Sequence, residues 1–255
     1  MPFINSIDHD EYREPFLGGG AVFFAKKKVK HNWLNDLEAD LITTYRVIAN
    51  PRQRKVLCDM LKGETASKAR HKEVKSMKAT SSMDIAFKIY YLNRTSFSGI
   101  IHKAPWGYKI GHSIEPKDWP RRIEPAGEKL EGVRLTSLDF EEVLKSSPVG
   151  KRLFAYLDPP YYGSDQKRAY TKSFTLTDHI RLSKALRKFE FPFCLSYDDH
   201  PKIREMYSWA HLHTRQWFYN TANIRNGARK KGRELIITNY GVDWLSSNEE
   251  LPSGE

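Results

Sequence analysis

The sequence predicts an α/β domain, and three observations predict it. Short apolar runs such as Arg152-Leu153-Phe154-Ala155-Tyr156-Leu157 and Phe191 to Tyr197 are bounded by turn residues, as buried strands are. Between such runs lie segments with apolar residues at helical spacing, for example Leu37, Leu41, Ile42, Tyr45 and Ile48. Near the start, Gly18-Gly19-Gly20 separates a strand-like stretch from a helix-like one. At 255 residues the chain makes one large domain of this class, or a core with a sizeable insertion.

Lysine and arginine outnumber aspartate and glutamate by 42 to 31, a formal charge of +11. Such a balance favours a polyanionic partner, nucleic acid before anionic lipid, although many ordinary soluble proteins are also basic. No run approaches the ~18 apolar residues of a membrane span. Met1 to Asn5 has no basic segment followed by an apolar one, so no secretory signal is read. Cys58 and Cys194 stand far apart without metal-binding spacing. Both are expected as buried thiols in a reducing cytoplasm. The tail Ser246 to Glu255 is polar and expected to fray.

Tyr12 to Leu17 reads as a strand, Gly18 to Gly20 as a turn, and Ala21 to Ala25 as a helix. Val29 to Leu34 reads as a second strand ending at Asn35-Asp36. Asp36 lies 18 residues after Gly18, near the distance at which nucleotide-binding folds place an acid on ribose hydroxyls. A dehydrogenase would open the same way, but its fingerprint wants a third glycine where this chain has Phe23, and no phosphate-loop lysine follows. An adenosine cofactor without phosphates suits the turn better, and S-adenosylmethionine (AdoMet) is one.

Asp36 to about Ala49 follows as a helix, then a lysine-rich, largely helical stretch from Pro51 to about Ala79. Ile85 to Leu92 reads as a buried helix that delivers Asn93-Arg94-Thr95-Ser96-Phe97-Ser98-Gly99. Ile100 to His112 mixes turn residues, aromatics and bases, which suits a loop or hairpin against DNA or a solvated surface hairpin. Arg134 to Leu144 reads as a strand, then Leu138-Asp139-Phe140, then a helix. Thr177 opens a helix carrying Ile180, Leu182, Leu186 and Phe189; Pro201 to Ala210 is another. Apolar runs at Trp217 to Tyr219 and Leu235 to Thr238 flank a basic turn from Asn226 to Arg233, which either grips phosphates or is solvated. His211 and His213 alternate on one strand face without ligand partners at metal spacing, so no metal site is expected.

The chemistry is expected at Asp158-Pro159-Pro160-Tyr161. A strand cannot continue through two prolines, so the chain turns at its carboxyl end, where open α/β sheets place ligands. That leaves a carboxylate, stiff carbonyls and an aromatic face, a set able to accept hydrogen bonds from an amino group while stacking on its ring. The plainer reading is a proline turn with Tyr161 and Tyr162 packing.

Together these motifs resemble the Dam-like, D12 class of DNA adenine-N6 methyltransferases. Glu14 to Phe24 is similar to the family's AdoMet-binding motif, and Tyr91-Leu92-Asn93-Arg94 with Phe97-Ser98-Gly99 to the start of its DNA-contacting hairpin. Leu138-Asp139-Phe140 falls where the family contacts the cofactor adenine, Asp158 to Tyr161 is its catalytic tetrapeptide, and Glu234 to Asn239 matches its terminal strand. The resemblance implies a Rossmann-like AdoMet-dependent methyltransferase sheet from residues 1–45 and 130–255. It also implies a mostly helical DNA-recognition insert with a hairpin over 46–129. Asp36 would bind ribose; Phe16, Gly18 and Gly20 would line methionine and sugar; Asp139 and Phe140 would meet the adenine. Asp158 and the Pro159 carbonyl would hold the target amine of a flipped adenine, with Tyr161 stacking on it and Phe174 opposite.

Asn93, Arg94, Phe97, Ser98, Ile100 and His102 would meet DNA, and Lys103, Arg229 and Lys230 its phosphates. Double-stranded DNA is the partner implied, in a marking role beside a separate restriction endonuclease. Members that read GATC carry an arginine where His102 stands, so GATC is not assigned. The family's Pro-Gly-Gly-Lys-like opening segment, whose lysine helps bind methionine, has no counterpart before Glu14. A silent DNA-binding relative and a methyltransferase for cytosine N4, RNA or protein amides therefore stand as alternatives.

Overall fold

The strand at the centre of the sheet, Glu11–Glu14 (β1), contains no aliphatic residue, yet all four side chains are buried. In this computed structural model, which describes residues 2–163, 173–218 and 231–242, their polar groups are all partnered. Arg13 Nε donates to Glu11 Oε1 at 2.7 Å, and its other nitrogens donate to the carbonyls of Val143, Ser146 and Ser147. Glu11 Oε2 accepts from the N–H groups of Val149 and Gly150, and the Tyr12 hydroxyl donates to Glu14 Oε2 at 2.7 Å. Buried charge is tolerated only when paired and hydrogen-bonded in this way.

After a short α1 (Pro2–Asn5) and β1 come α2 (Ala21–Ala25), β2 (His31–Asn35) and five helices. These are α3 (Ala39–Ala49), α4 (Pro51–Lys62), α5 (Lys68–Ser76), α6 (Ser82–Thr95) and α7 (Pro120–Leu130). Then follow β3 (Arg134–Thr136), α8 (Phe140–Lys145), β4 (Leu153–Leu157), α9 (Leu176–Arg187) and β5 (Phe193–Asp198). The described chain closes with α10 (Pro201–Met206), β6 (His211–Phe218) and β7 (Lys231–Thr238). Side-chain caps fix several helix starts: Asn50 for α4, and reciprocal capping boxes Ser81–Asp84, Asp139–Glu142 and Thr175–Asp178 for α6, α8 and α9.

The strands order as β3-β2-β1-β4-β5-β7-β6, parallel except for β7, which runs antiparallel to both neighbours. This is the Rossmann-like α/β sheet the sequence predicts. Side chains alternate across it: Phe154 packs with Tyr12, Leu34 and the helices α3 to α7, while Ala155 and Leu157 pack with α8, α9 and α10. The chain leaves β1 toward β2 and β3, then returns to β4 on the other side. The crevice beyond the carboxyl ends of β1 and β4 is the switch point where such sheets bind ligands.

Several expectations need correction. Helix α9 begins at Leu176, capped by Thr175, and buries His179, Leu182, Ser183 and Leu186; Ile180 is exposed. The stripe is rotated because His179 is held by the Tyr197 hydroxyl at 2.7 Å, which lets a polar ring take a core position. Asn93 and Arg94 belong to α6 and are not in the loop after it. That loop is no regular hairpin: a single bridge, Ser96 to Trp106, closes it. Helix α10 stops at Met206, and β6 begins at His211, well before the apolar run at Trp217. Residues 226–230 of the basic turn, with Arg229 and Lys230, and the tail Ser246 to Glu255 lie outside the described residues. Cys58 and Cys194 are buried free thiols. Among the described residues no helix is long and apolar enough to cross a membrane.

Candidate active site

Four loops meet at the carboxyl ends of β1, β2, β3 and β4, and Asn35 ties three of them. Its Nδ2 donates to the carbonyls of Pro15 and Leu138, both at 3.0 Å, and its Oδ1 accepts from Leu138 N–H and Thr136 Oγ1. The glycine turn is fastened next: Gly18 N–H donates to Asp36 Oδ2 at 2.8 Å, and the Tyr45 hydroxyl donates to the Gly18 carbonyl. Gly20 has φ 67°, a conformation that favours glycine, and a Cβ there would stand 2.8 Å from the Phe24 ring and push it aside.

The loops enclose a cavity of about 450 Å³. Phe16, Gly18, Gly20, Asp36, Asp139, Phe140, Asp158 and Pro160 line it, so every residue expected to bind the cofactor converges on one space. Phe174 sits edge-on to Phe16 at 5.6 Å and beside Phe140 at 5.8 Å, in the wall of the same cavity. Arg181 braces this wall from outside. It lies 5.0 Å from the Phe140 ring centre, and its three nitrogens reach Asp139, Glu141 and Asp178 at 2.9 to 3.0 Å.

Asp158 follows β4, lines the cavity and keeps an exposed face. Burial and the charge of Glu234 push its carboxyl up to about 6, against a hydrogen bond from Tyr161. Pro159 is buried beneath it. The Tyr161 hydroxyl lies 3.4 Å from Glu234 Oε1 and 3.5 Å from Ser196 Oγ. Glu14 also lines the cavity, and burial pushes it up to about 8. Burial raises Asp36 above the usual carboxylate range as well.

A second cavity, of about 1010 Å³, opens between the sheet edge and the helices α3, α6 and α7. Asn93, Arg94, Ser98, Ile100 and His102 line it, and it shares Gly18, Gly19 and Asp36 with the first. Phe97 and Lys103 stand apart on the exposed side, Phe97 with 64% of its surface free. His71 staples the loop base, through Thr95 Oγ1 and the Ala104 carbonyl, each at 2.8 Å. Gly107 is pressed to the backbone of Phe97, where a Cβ would stand 2.3 Å from Phe97 Cα. Among the described residues no group of three or more His, Cys, Asp and Glu side chains converges as a metal site would require. His211 and His213 stack on each other at 6.4 Å, and His213 Nε2 lies 3.3 Å from Thr238 Oγ1.

The sequence model of the family described as D12 class N6 adenine-specific DNA methyltransferase matches residues 2–221. The chain belongs to that family. It is 28% identical over 264 residues to the type II methyltransferase M1.LlaDCHI of Lactococcus lactis subsp. cremoris, covering 94% of this chain and 91% of the relative. It is 25% identical over 244 residues to the type II methyltransferase M.CviBI of Paramecium bursaria Chlorella virus NC1A, covering 91% of each. A third relative, the type II methyltransferase M.MjaIII of Methanocaldococcus jannaschii, is 27% identical over 261 residues, covering 90% of this chain and 88% of its own.

This D12 class enzyme is a site-specific DNA adenine methyltransferase, and its family implies AdoMet as methyl donor. The residues present fit that donor. The cavity is of the size that holds a nucleoside-sized ligand. Its lining offers the flat faces of Phe16, Phe140 and Phe174 together with the carboxyl groups of Asp36, Asp139 and Asp158, acceptors suited to hydroxyl, amino and sulfonium groups. Arg181 was not expected from the sequence to serve the site, and Glu14 was expected only as the first residue of the stretch resembling the AdoMet-binding motif, with no role of its own. Glu14 borders the glycine motif and is legible once the adjacent strand is known to be central; Arg181 carries no local signal.

Proposed function

We propose that the first cavity seats AdoMet and that Asp158, Pro159, Pro160 and Tyr161 carry out the transfer. Asp36 holds the ribose hydroxyls. Phe16, Gly18 and Gly20 line the methionine and sugar, and Asp139 with Phe140 receives the adenine ring. Bound there, AdoMet supplies a methyl group on a positively charged sulfur. The observation that carries this reading is that Asp158 and the glycine turn wall the same cavity.

The N6 lone pair of adenine is delocalised into its ring and is a poor nucleophile. Two acceptors, the Asp158 carboxylate and the Pro159 carbonyl, hold the two N–H groups and favour a pyramidal nitrogen. Its lone pair then points toward the methyl group, at the roughly 3–3.5 Å separation from which proximity lowers the barrier. Fixed dipoles in a site closed to water stabilise the charge that develops on nitrogen. Because N6 is buried in a duplex, the base must leave the stack, and Tyr161 offers the face that receives it.

The segment 46–129 forms the recognition insert, and residues 1–45 with 130–255 form the catalytic part. Asn93, Arg94, Ser98, Ile100 and His102 meet the target through the second cavity, and Phe97 is exposed where a wedge between bases is needed. Lys103, Arg229 and Lys230 neutralise phosphates, so binding weakens as salt rises. The marking role, with a cognate endonuclease acting separately in the cytoplasm, is supported by the type II names of the relatives. Incubation with methyl-labelled AdoMet and a randomised duplex library tests the reading. Label should appear in N6-methyladenine within one short sequence; label in cytosine, or in no base, would refute it.

A further inference from the structure

Glu234 reaches the transfer site from β7, on the strand opposite Asp198 of β5, far in sequence from every loop described above. Ser196 Oγ of β5 donates a short hydrogen bond to Glu234 Oε1, and the Tyr161 hydroxyl lies 3.4 Å from the same oxygen. Tyr161 also hydrogen-bonds Asp158, so its hydroxyl stands between two carboxylates. We propose that Glu234 is a positioning residue for methyl transfer. Held by Ser196, it fixes the Tyr161 hydroxyl, and with it the ring that receives the base. Its charge stands behind Asp158 and makes Asp158 the group that takes the proton released by the methylated amine.

The proposal rests on the transfer site assigned under Proposed function. The amine's lone pair forms the N–C bond while the C–S bond breaks and its electron pair returns to sulfur. Nitrogen then carries the positive charge until one N–H proton passes to the Asp158 carboxylate, and from there to solvent. No further co-reactant is needed. Titratable groups face Asp158 from each neighbouring strand: Glu14 of β1, Tyr156 of β4, Cys194 and Tyr197 of β5, and Glu234 of β7. Tyr161 approaches from its own loop, and Lys26 balances Glu14 from behind. Burial raises Glu14, the tyrosines and the thiol, which leaves Glu234 as the carboxylate whose charge acts on Asp158.

Two conservative variants should move the acid limb of kcat/KM in opposite directions. In the wild type, turnover should fall as pH drops through about 6, where Asp158 gains a proton. Glu234→Gln removes a like charge and should move that limb down by roughly one pH unit. Tyr161→Phe removes a donor to the carboxylate and should move it up. Glu234→Asp, which keeps the charge, should leave the limb closer to wild type than the glutamine variant does. A limb that stays in place in Glu234→Gln, or moves the same way in both variants, overturns the proposal. Should Glu234→Gln fail to fold, as judged by circular dichroism, Tyr161→Phe decides it: an acid limb that does not rise refutes the bridge. Full turnover by Asp158→Ala would instead refute the transfer site itself, so the two failures are distinguishable.

Discussion

His102 Nε2 lies 3.2 Å from Glu38 Oε2, a contact that joins the recognition loop to the segment closing the glycine turn. Glu38 N–H donates to Asp36 Oδ1 at 2.9 Å, and Asp36 Oδ2 accepts from Gly18 N–H. Should DNA displace the loop, this chain of contacts would pass the movement to the carboxylate proposed for the ribose. Glu38→Gln should reduce the change in AdoMet affinity caused by duplex about two- to fivefold, the range of a partly exposed pair. Calorimetry with AdoMet, with and without duplex, measures it; an unaltered ratio would show that the contact carries no coupling.

Arg181 holds three carboxylates and lies over Phe140. Because about a third of it is exposed, Arg181→Ala should cost only about 1 kcal/mol of stability. It should raise KM for AdoMet about tenfold, since Asp139 and the Phe140 ring lose their brace. Arg181→Lys should not rescue KM, because an ammonium cannot fork between three acceptors. Initial rates over a range of AdoMet check both.

Tyr161→Ala should slow methylation of a correctly paired adenine about tenfold more than of a mismatched one, since extrusion from a mismatch costs less. Equal losses on the two duplexes, compared under single-turnover conditions, would mean that the ring does not receive the base.

Glu14 is buried at the end of the central strand with its carboxyl pushed up to about 8. The folded protein therefore holds a proton that the unfolded chain, at the ordinary value of 4.5, gives up. Its contribution to stability is intact below about pH 4.5 and declines as pH rises toward 8. Glu14→Gln should lack that decline, so the variant gains on the wild type by at least about 1 kcal/mol between pH 5 and 8. Denaturant titrations across that range give the sign.

The strands at Leu153–Leu157 and Phe193–Asp198 were legible because each is an apolar run ended by turn residues. The glycine turn, Asp36 and Asp158 were legible because their spacing answers to local backbone needs. β1 reads poorly as a central strand, since the burial of its charged side chains is offset by hydrogen bonds to backbone groups 130 or more positions away. Ile180 and His179 exchanged places because a single tyrosine hydroxyl outweighed helical periodicity. Glu234 joined the site only through the antiparallel insertion of β7 between β5 and β6, a long-range pairing with no local periodicity. The loop or hairpin expected after α6 is an irregular loop closed by one antiparallel bridge, its turns set by His71 and Gly107 outside any strand pattern.

One carboxylate at the end of β4, that of Asp158, is proposed to prepare the adenine amine for transfer. The most direct measurement is the rate of N6-methyladenine formation by Asp158→Ala, with duplex affinity measured in parallel. Loss of turnover by at least about a hundredfold, with DNA affinity within about threefold of wild type, is the predicted result. Near-normal turnover in that variant would rule out this role for Asp158.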